Sequence, residues 1–225
     1  MNTQETILGR IRDALRLPRT HAHKGHSPVH AATPEEFRPW LPQAGDTPAD
    51  WLRSFLDRSA ELKTEVAVLE DESLLPAALC RLATAGKWKK IAIQGDPLTR
   101  QAAASVNLPF IETARGYETA ELEACDAGLS LCEALVAQTG SILVTSRHSG
   151  GRALSVLPPH HIVLARKNQL LPDLAAAFRQ LRETHAPDYP SMISFITGPS
   201  RTGDIERILV LGAHGPKKLT VFILP

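Results

Sequence analysis

Residues 127–145 read AGLSLCEALVAQTGSILVT. Short apolar pieces alternate here with turn signals, and no gap between them is long enough for a helix. The spacing predicts a tight run of strands, some of them antiparallel, because antiparallel neighbours need only a short connecting turn. On the amino-terminal side the rhythm is different. Asp50–Leu62 predicts a helix, Glu65–Leu69 a strand, Ser73–Ala83 a helix with a serine cap, and Lys90–Gln94 a strand. A Gly-Asp-Pro turn, a short helix near Thr99–Ala104 and a strand at Leu108–Ile111 follow. Strands separated by helices imply crossover connections and a largely parallel sheet covered on both faces. On the carboxyl-terminal side His161–Ala165 predicts a strand. Leu170–Glu183 predicts a helix with Leu171, Leu174, Ala175, Phe178 and Leu181 inward. Met192–Ile196, Ile208–Leu211 and Leu219–Leu224 are expected to complete the sheet.

The chain has 225 residues, 43% hydrophobic and 22% charged, which is globular composition with ample material for a core. A net charge of +1 offers no bulk attraction to nucleic acid or an anionic membrane, and an aromatic content of 5% argues against base-stacking platforms. No apolar run reaches the roughly 20 residues of a membrane helix, and the first residues lack a secretory core, so a cytoplasmic location is expected. Cys80, Cys125 and Cys132 lack the paired spacing of zinc or iron–sulfur ligands and suit a reducing compartment. Residues 1–46 read as an N-terminal amphipathic helix, with Ile7, Leu8, Ile11 and Leu15 at helical spacing, followed by a histidine- and proline-rich arm. His21, His23, His26 and His30 lie in that arm, where no rigid scaffold favours a metal over adventitious uptake. The α/β domain is expected over 47–225.

Four loops draw chemical interest. Thr197–Glu206 reads TGPSRTGDIE directly after a strand; Ser200 or Thr202 can cap a short helix there, and Arg201 adds a fixed cation. The loop lies where open α/β sheets bind ligands, beyond a strand's carboxyl end. It reads either as an anion- or partner-recognising loop or as a connector tied by an Arg201–Asp204 or Arg201–Glu206 pair. Gly212–Lys217 places a titratable His214 and the cation Lys217 on a glycine-containing turn. Gln138–Ser141 offers the hydroxyls of Thr139 and Ser141 around Gly140, and Ser146–Arg152 sets Arg147, His148 and Arg152 around two glycines. Asp126 and Glu133, seven residues apart, bracket a strand and raise the question of an acid–base pair. No P-loop, strand-linked GxGxxG or nucleophile–histidine–carboxylate arrangement is present.

Taken together, Asp126-Ala127-Gly128, Gln138-Thr139-Gly140-Ser141, the run Thr197–Glu206 and Gly212-Ala213-His214-Gly215-Pro216-Lys217 resemble the pattern of the LUD-domain family, in its lactate utilisation protein C branch. The resemblance covers Asp50 to the last residue, and the leading helix is similar too. It implies a ribose-5-phosphate isomerase/CoA-transferase-like fold, with a mixed, mostly parallel sheet flanked by helices. It also implies a part in oxidising L-lactate to pyruvate beside iron–sulfur subunits, with no cluster or other cofactor in this chain, a small anionic substrate, no nucleic acid, and room for a homo-oligomer. Arg201 would then supply charge, Ser200 and Thr202 hydroxyl contacts, and His214 a proton acceptor. Thr139, Gly140, Ser141, Gly198, Asp204, Gly215 and Lys217 complete the expected binding set. Where relatives often carry an acidic residue before the Thr-Gly, this chain has Gln138. Two other readings stand beside this one: a stand-alone enzyme on a phosphorylated or CoA-linked molecule, and an assembly protein that docks through its N-terminal helix.

Overall fold

The computed structural model describes residues 3–16, 41–147, 152–202, 210–211 and 215–225. They belong to two units, Met1–Leu41 and Pro42–Pro225. The first holds helix α1 (Thr3–Arg16), on which Ile7 and Leu8 are exposed. The histidine-rich stretch lies outside the described residues. The second unit starts slightly earlier than composition suggests, because Ala44 is buried in its core and the Ala44 carbonyl accepts the Ser54 hydroxyl at 3.0 Å.

In chain order the second unit runs α2 (Pro48–Leu62), β1 (Glu65–Val68), α3 (Leu75–Gly86), β2 (Ile91–Ile93), α4 (Pro97–Val106), β3 (Phe110–Glu112) and α5 (Thr119–Glu123). It continues with β4 (Ala127–Leu131), β5 (Ala134–Val136), β6 (Ser141–Thr145), β7 (His160–Arg166), β8 (Leu170–Leu171) and α6 (Leu174–His185). It closes with β9 (Ile193–Ile196), β10 (Arg201–Thr202), β11 (Val210–Leu211) and β12 (Lys218–Leu224). Helix α2 is started firmly. Pro48 opens it, the Thr47 hydroxyl accepts the Asp50 amide at 3.2 Å, and Asp50 accepts the Thr47 amide at 3.3 Å. The Thr47 hydrogen bond holds the Asp50 carboxyl below its usual range.

The strands do not form the single sheet that the sequence led us to expect. Six of them pair in parallel in the order β1-β12-β7-β4-β2-β3. A second sheet, β8-β5-β6-β9, is antiparallel at β5–β6 and β6–β9 and parallel at β5–β8. Strands β10 and β11 form a separate antiparallel ribbon. The mixed α/β class is therefore as expected, and the antiparallel part does fall in the stretch after Ala127.

The reason for two sheets lies in the apolar alternation. Leu135, Ile142 and Val144 point one way and pack with Val163, Ala165, Val221 and Ile223 of the parallel sheet, joined by Phe55 of α2. Ala134, Val136 and Leu143 point the other way and meet Ala177 and Leu181 of α6. Residues apolar on both sides of a strand need cover on both faces. The opposite face of the parallel sheet carries Ile91, Ile93, Leu129, Ile162, Leu164 and Phe222 under α3 and α4. Each of these three interfaces stabilises the fold by ~25 cal/mol per Å² of apolar area it removes from water.

Helix α6 corrects the sequence in detail. It begins at Leu174, because Asp173 caps the Ala176 amide at 2.7 Å, while Leu170 and Leu171 pair with Leu135 and Val136 as a strand. The buried face is accordingly Ala177, Leu181 and His185. Ala175 is exposed, and Phe178 is 54% exposed, resting against Phe195.

Candidate functional site

Three of the glycine-containing loops converge. Because Ile142 pairs with Ile196 in the β6–β9 register, the residues just outside that pair, Ser141 and Thr197, meet at the same end of the second sheet. Their hydroxyls are 2.8 Å apart, and the Thr139 hydroxyl lies 2.7 Å from that of Ser141. The result is a chain of three hydroxyls at the last turn of α2. Gly140 (φ +64) and Gly198 (φ +92) both occupy left-handed backbone there. A Cβ on Gly140 would lie 2.8 Å from the Arg58 Cβ, and one on Gly198 would lie 3.0 Å from the Leu62 carbonyl oxygen. Both turns therefore seat directly on α2, and both need glycine. Gly140→Ala is expected to cost roughly 1–3 kcal/mol through backbone strain and the Arg58 clash, measurable as a lower urea midpoint.

The third loop joins through the backbone. The Ser200 amide donates to the Pro216 carbonyl at 2.9 Å, and Gly215 approaches Ser200 so closely that a Cβ would lie 3.2 Å from the Ser200 Cβ. The Lys217 amide donates to Pro159 at 2.8 Å, anchoring the loop where β7 and β12 begin. The assembly thus sits at the amino edge of the parallel sheet and not beyond its carboxyl ends. It follows β9, and β9 belongs to the second sheet. The carboxyl edge is closed differently: the Gln94 side chain accepts the Leu131 amide at 2.8 Å, bridging β2 and β4.

Arg201 and its neighbours are built into the fold. Arg201 donates to the Leu62 carbonyl. It supplies the cation that α2 lacks in its own last turn, where a helix exposes unpaired carbonyls. Arg201 and Thr202 form β10 against Val210 and Leu211, so they do not begin a helix, and the Ser200 amide is not unpaired. Asp204, Glu206 and His214 lie outside the described residues, as does the side chain of Thr202. Lys217 is exposed.

Gln138 explains its own departure from the acidic residue expected there. Its amide nitrogen donates to the Pro42 carbonyl at 3.1 Å, and its oxygen accepts the Leu174 amide at 3.4 Å. A carboxylate accepts only and could not brace both.

Other sequence candidates fall elsewhere. Ser146 and Arg147 leave the opposite end of β6, roughly 13 Å away at the usual rise of a strand, and His148 and the two glycines after it lie outside the described residues. Arg147 pairs with Asp188, and Arg152 donates to the Ser191 carbonyl at 2.5 Å. Asp126 accepts the Lys89 and Lys90 amides at 2.6 and 3.1 Å, before β4, whereas Glu133 lies beyond that strand's far end and pairs with His185 at 2.8 Å. The two carboxylates make no acid–base pair. Sequence reading missed Arg58 and Leu62, which look like ordinary surface positions of an amphipathic helix until the glycine turns fold onto them.

Two histidines stand at the same edge. His160 hydrogen-bonds the Thr220 hydroxyl at 2.8 Å, and His161 hydrogen-bonds the Ser130 hydroxyl at 2.8 Å. Burial pushes the His160 imidazole down to about 4, partly opposed by Glu65, and drives His161 to about 3 with a further push from His160. Both are neutral at pH 7. Among the described residues no group of three metal-ligating side chains gathers, and no helix is long and apolar enough to cross a membrane.

A parallel six-stranded sheet with a second, antiparallel-rich sheet packed on one face and helices outside defines a mixed α/β domain. A DUF162 family protein from Deinococcus radiodurans shares this fold, with a TM-score of 0.58 at 22% identity over 80% of this chain and all of that one. Residues 55–224 match the LUD domain, and the chain belongs to the LUD-domain family. A protein of Anoxybacillus flavithermus named lactate utilization protein C is 34% identical over 114 residues, half of each chain. The Escherichia coli K12 protein YkgG is 28% identical over 180 residues, 76% of this chain and 78% of its own. The chain spans about half the length of the first of these relatives.

Proposed function

We propose that this chain is a component of an L-lactate utilisation system, serving the oxidation of lactate to pyruvate as a subunit that carries no iron–sulfur cluster and handles substrate or supports its partners. The observation that carries the reading is membership of the LUD-domain family together with relatives named lactate utilization protein C. The loop assembly supports it: hydroxyls of Thr139, Ser141 and Thr197 are held together on rigid elements, a setting for a small polar anion. In this reading His214 accepts a proton, with Ser200, Thr202, Asp204 and Lys217 around the same anion. Cys80 on α3 and Cys125 and Cys132 in the connections before and after β4 are free thiols, the last two buried, which supports assigning the clusters to partner subunits.

Deleting the gene should abolish growth on L-lactate while sparing growth on pyruvate, and a plasmid copy should restore it. The tagged protein from lactate-grown cells should co-purify with cysteine-rich iron–sulfur subunits at comparable abundance. Undiminished growth of the deletion strain on L-lactate would overturn the reading.

A further inference from the structure

We propose that the cleft between α2 and the Gln138–Ser141 turn is the seat of a small monocarboxylate bearing a neighbouring hydroxyl, with Arg58 as the carboxylate anchor. The identity of the acid rests on the lactate reading above; the geometry does not. The cleft has a volume of about 180 Å³. That is many times the roughly 10–15 Å³ one ordered water needs. Ser54, Asp57, Arg58, Glu61 and Gln138 line it, so its walls are mostly polar.

The sequence singles out Arg201 as the anion-binding cation, but Arg201 is engaged at the carbonyl end of α2. The guanidinium that lines an open cleft beside the loops is that of Arg58. It meets Glu61 at 3.0 Å, an i,i+3 pair whose side chains are 40% and 65% exposed. Such a pair contributes little, so a carboxylate presenting two oxygens to the parallel N–H groups displaces Glu61 readily. The Gly140 turn packs on the Cβ of Arg58 and limits where its side chain can go.

The remaining lining selects the ligand. Gln138, only 9% exposed, is held by Pro42 and Leu174, so its amide is fixed before a ligand arrives. Ser54 spends its proton on the Ala44 carbonyl, which leaves its oxygen as an acceptor for a ligand hydroxyl. Asp57 is a second acceptor. Asp57 and Glu61 share the cleft with the single guanidinium, so each added negative charge on the ligand costs more, and a monoanion is favoured over a phosphate dianion. A short acid lacking the hydroxyl leaves the acceptors unmatched.

The test titrates the full chain with L-lactate, propionate and inorganic phosphate, followed by calorimetry and by amide shifts of α2 and residues 138–141. Saturable L-lactate binding is expected, weaker for propionate and weakest for phosphate. Arg58→Gln should weaken L-lactate binding at least tenfold, Arg58→Lys less, and Glu61→Gln should tighten it severalfold. Each variant's melting curve should stay close to wild type, since the changes keep the Cβ and stem on which the Gly140 turn packs and alter only groups that are 40% and 65% exposed. L-lactate binding that Arg58→Gln leaves unchanged, absence of saturable binding by the folded wild-type chain, or phosphate binding tighter than lactate would each overturn the proposal. Growth separates it from the pathway reading. A deletion strain that grows normally on L-lactate, beside a chain that binds lactate through Arg58, sinks the pathway reading and keeps the pocket. Growth restored in full by Arg58→Gln, beside a chain that does not bind, does the reverse.

Discussion

Urea unfolding at pH 5 should show this chain about 3 kcal/mol less stable than at pH 7.5. The cause is the pair of adjacent histidines that start β7. In the unfolded chain each imidazole titrates near 6.5. In the folded chain burial pushes His160 down to about 4, with Glu65 opposing and Lys218 assisting, and pushes His161 down to about 3. Below pH 6.5 the unfolded state therefore takes up protons that the folded state refuses. The stabilisation is complete above pH 6.5 and is lost as the pH falls towards the folded values. At pH 5 a fully buried imidazole has lost ~2 kcal/mol, and His160, with a carboxylate nearby, somewhat less. Asp50, Asp71 and Glu112 have carboxyls lowered by hydrogen bonds, first from Thr47, Ser73 and Arg100 respectively, so their losses come at lower pH and leave this window to the histidines. His161→Gln removes one titrating group while keeping a partner for Ser130, and should cut the difference between the two pH values by more than half. Equal stability of the wild-type chain at pH 7.5 and pH 5 would show that these imidazoles are not held neutral.

Glu133→Leu should cost roughly 3 kcal/mol, the scale expected when one partner leaves a buried pair. The Glu133 and His185 side chains are 6% and 2% exposed. The Glu133 carboxylate accepts the Thr145 hydroxyl at 2.5 Å and meets the His185 Nε2 at 2.8 Å, while its backbone carbonyl accepts the Gln180 amide at 3.2 Å. One residue thereby fastens the start of β5, the end of β6 and the last turn of α6. Leucine leaves the Thr145 hydroxyl and an imidazole nitrogen buried without that acceptor. Glu133→Gln keeps an oxygen for Thr145 and should cost ~1 kcal/mol. Hydrogen exchange provides a second readout: amides in the last turn of α6 should exchange faster in Glu133→Leu and nearly as slowly as wild type in Glu133→Gln. A uniform effect across the domain, with no excess at α6, would mean that Glu133 is not the fastening point.

The fold was legible wherever the signal was local. The apolar pieces at Ile91–Ile93, Ala127–Leu131 and His160–Arg166 declare themselves as buried strands, while the helices read from Asp50 and Thr99 start two residues earlier, at Pro48 and Pro97, behind the caps Thr47 and Asp96. The error at Leu170–Leu171 shows the limit of such reading. Two leucines before a capped helix fit its apolar stripe, and only their pairing with β5 makes them a strand. Phe178 was misplaced for the same reason: moving the helix start moves its buried face.

The site divides along a similar line. The turns that hold Thr139, Gly140, Ser141, Gly198, Ser200 and Gly215 were visible from residue type, because glycines that adopt left-handed backbone and neighbouring hydroxyls leave a compact signature. What joins them was not visible. Arg201 reads as a ligand cation and proves to close α2; Arg58 reads as surface and lines the cleft; Asp126 and Glu133, close in sequence, stand at opposite ends of a strand. The residues in sequence order were thus enough for the mixed α/β class, for most of the helices and strands before Ala127 and for the family, since periodicity, capping and glycine turns act over a few neighbouring residues. Only the tertiary structure decided that the strands divide into two stacked sheets and that the loops gather on the end of α2 at the amino edge. Those outcomes depend on which apolar faces find cover and which carbonyls find donors across more than a hundred residues of chain, as Leu62 and Arg201 do.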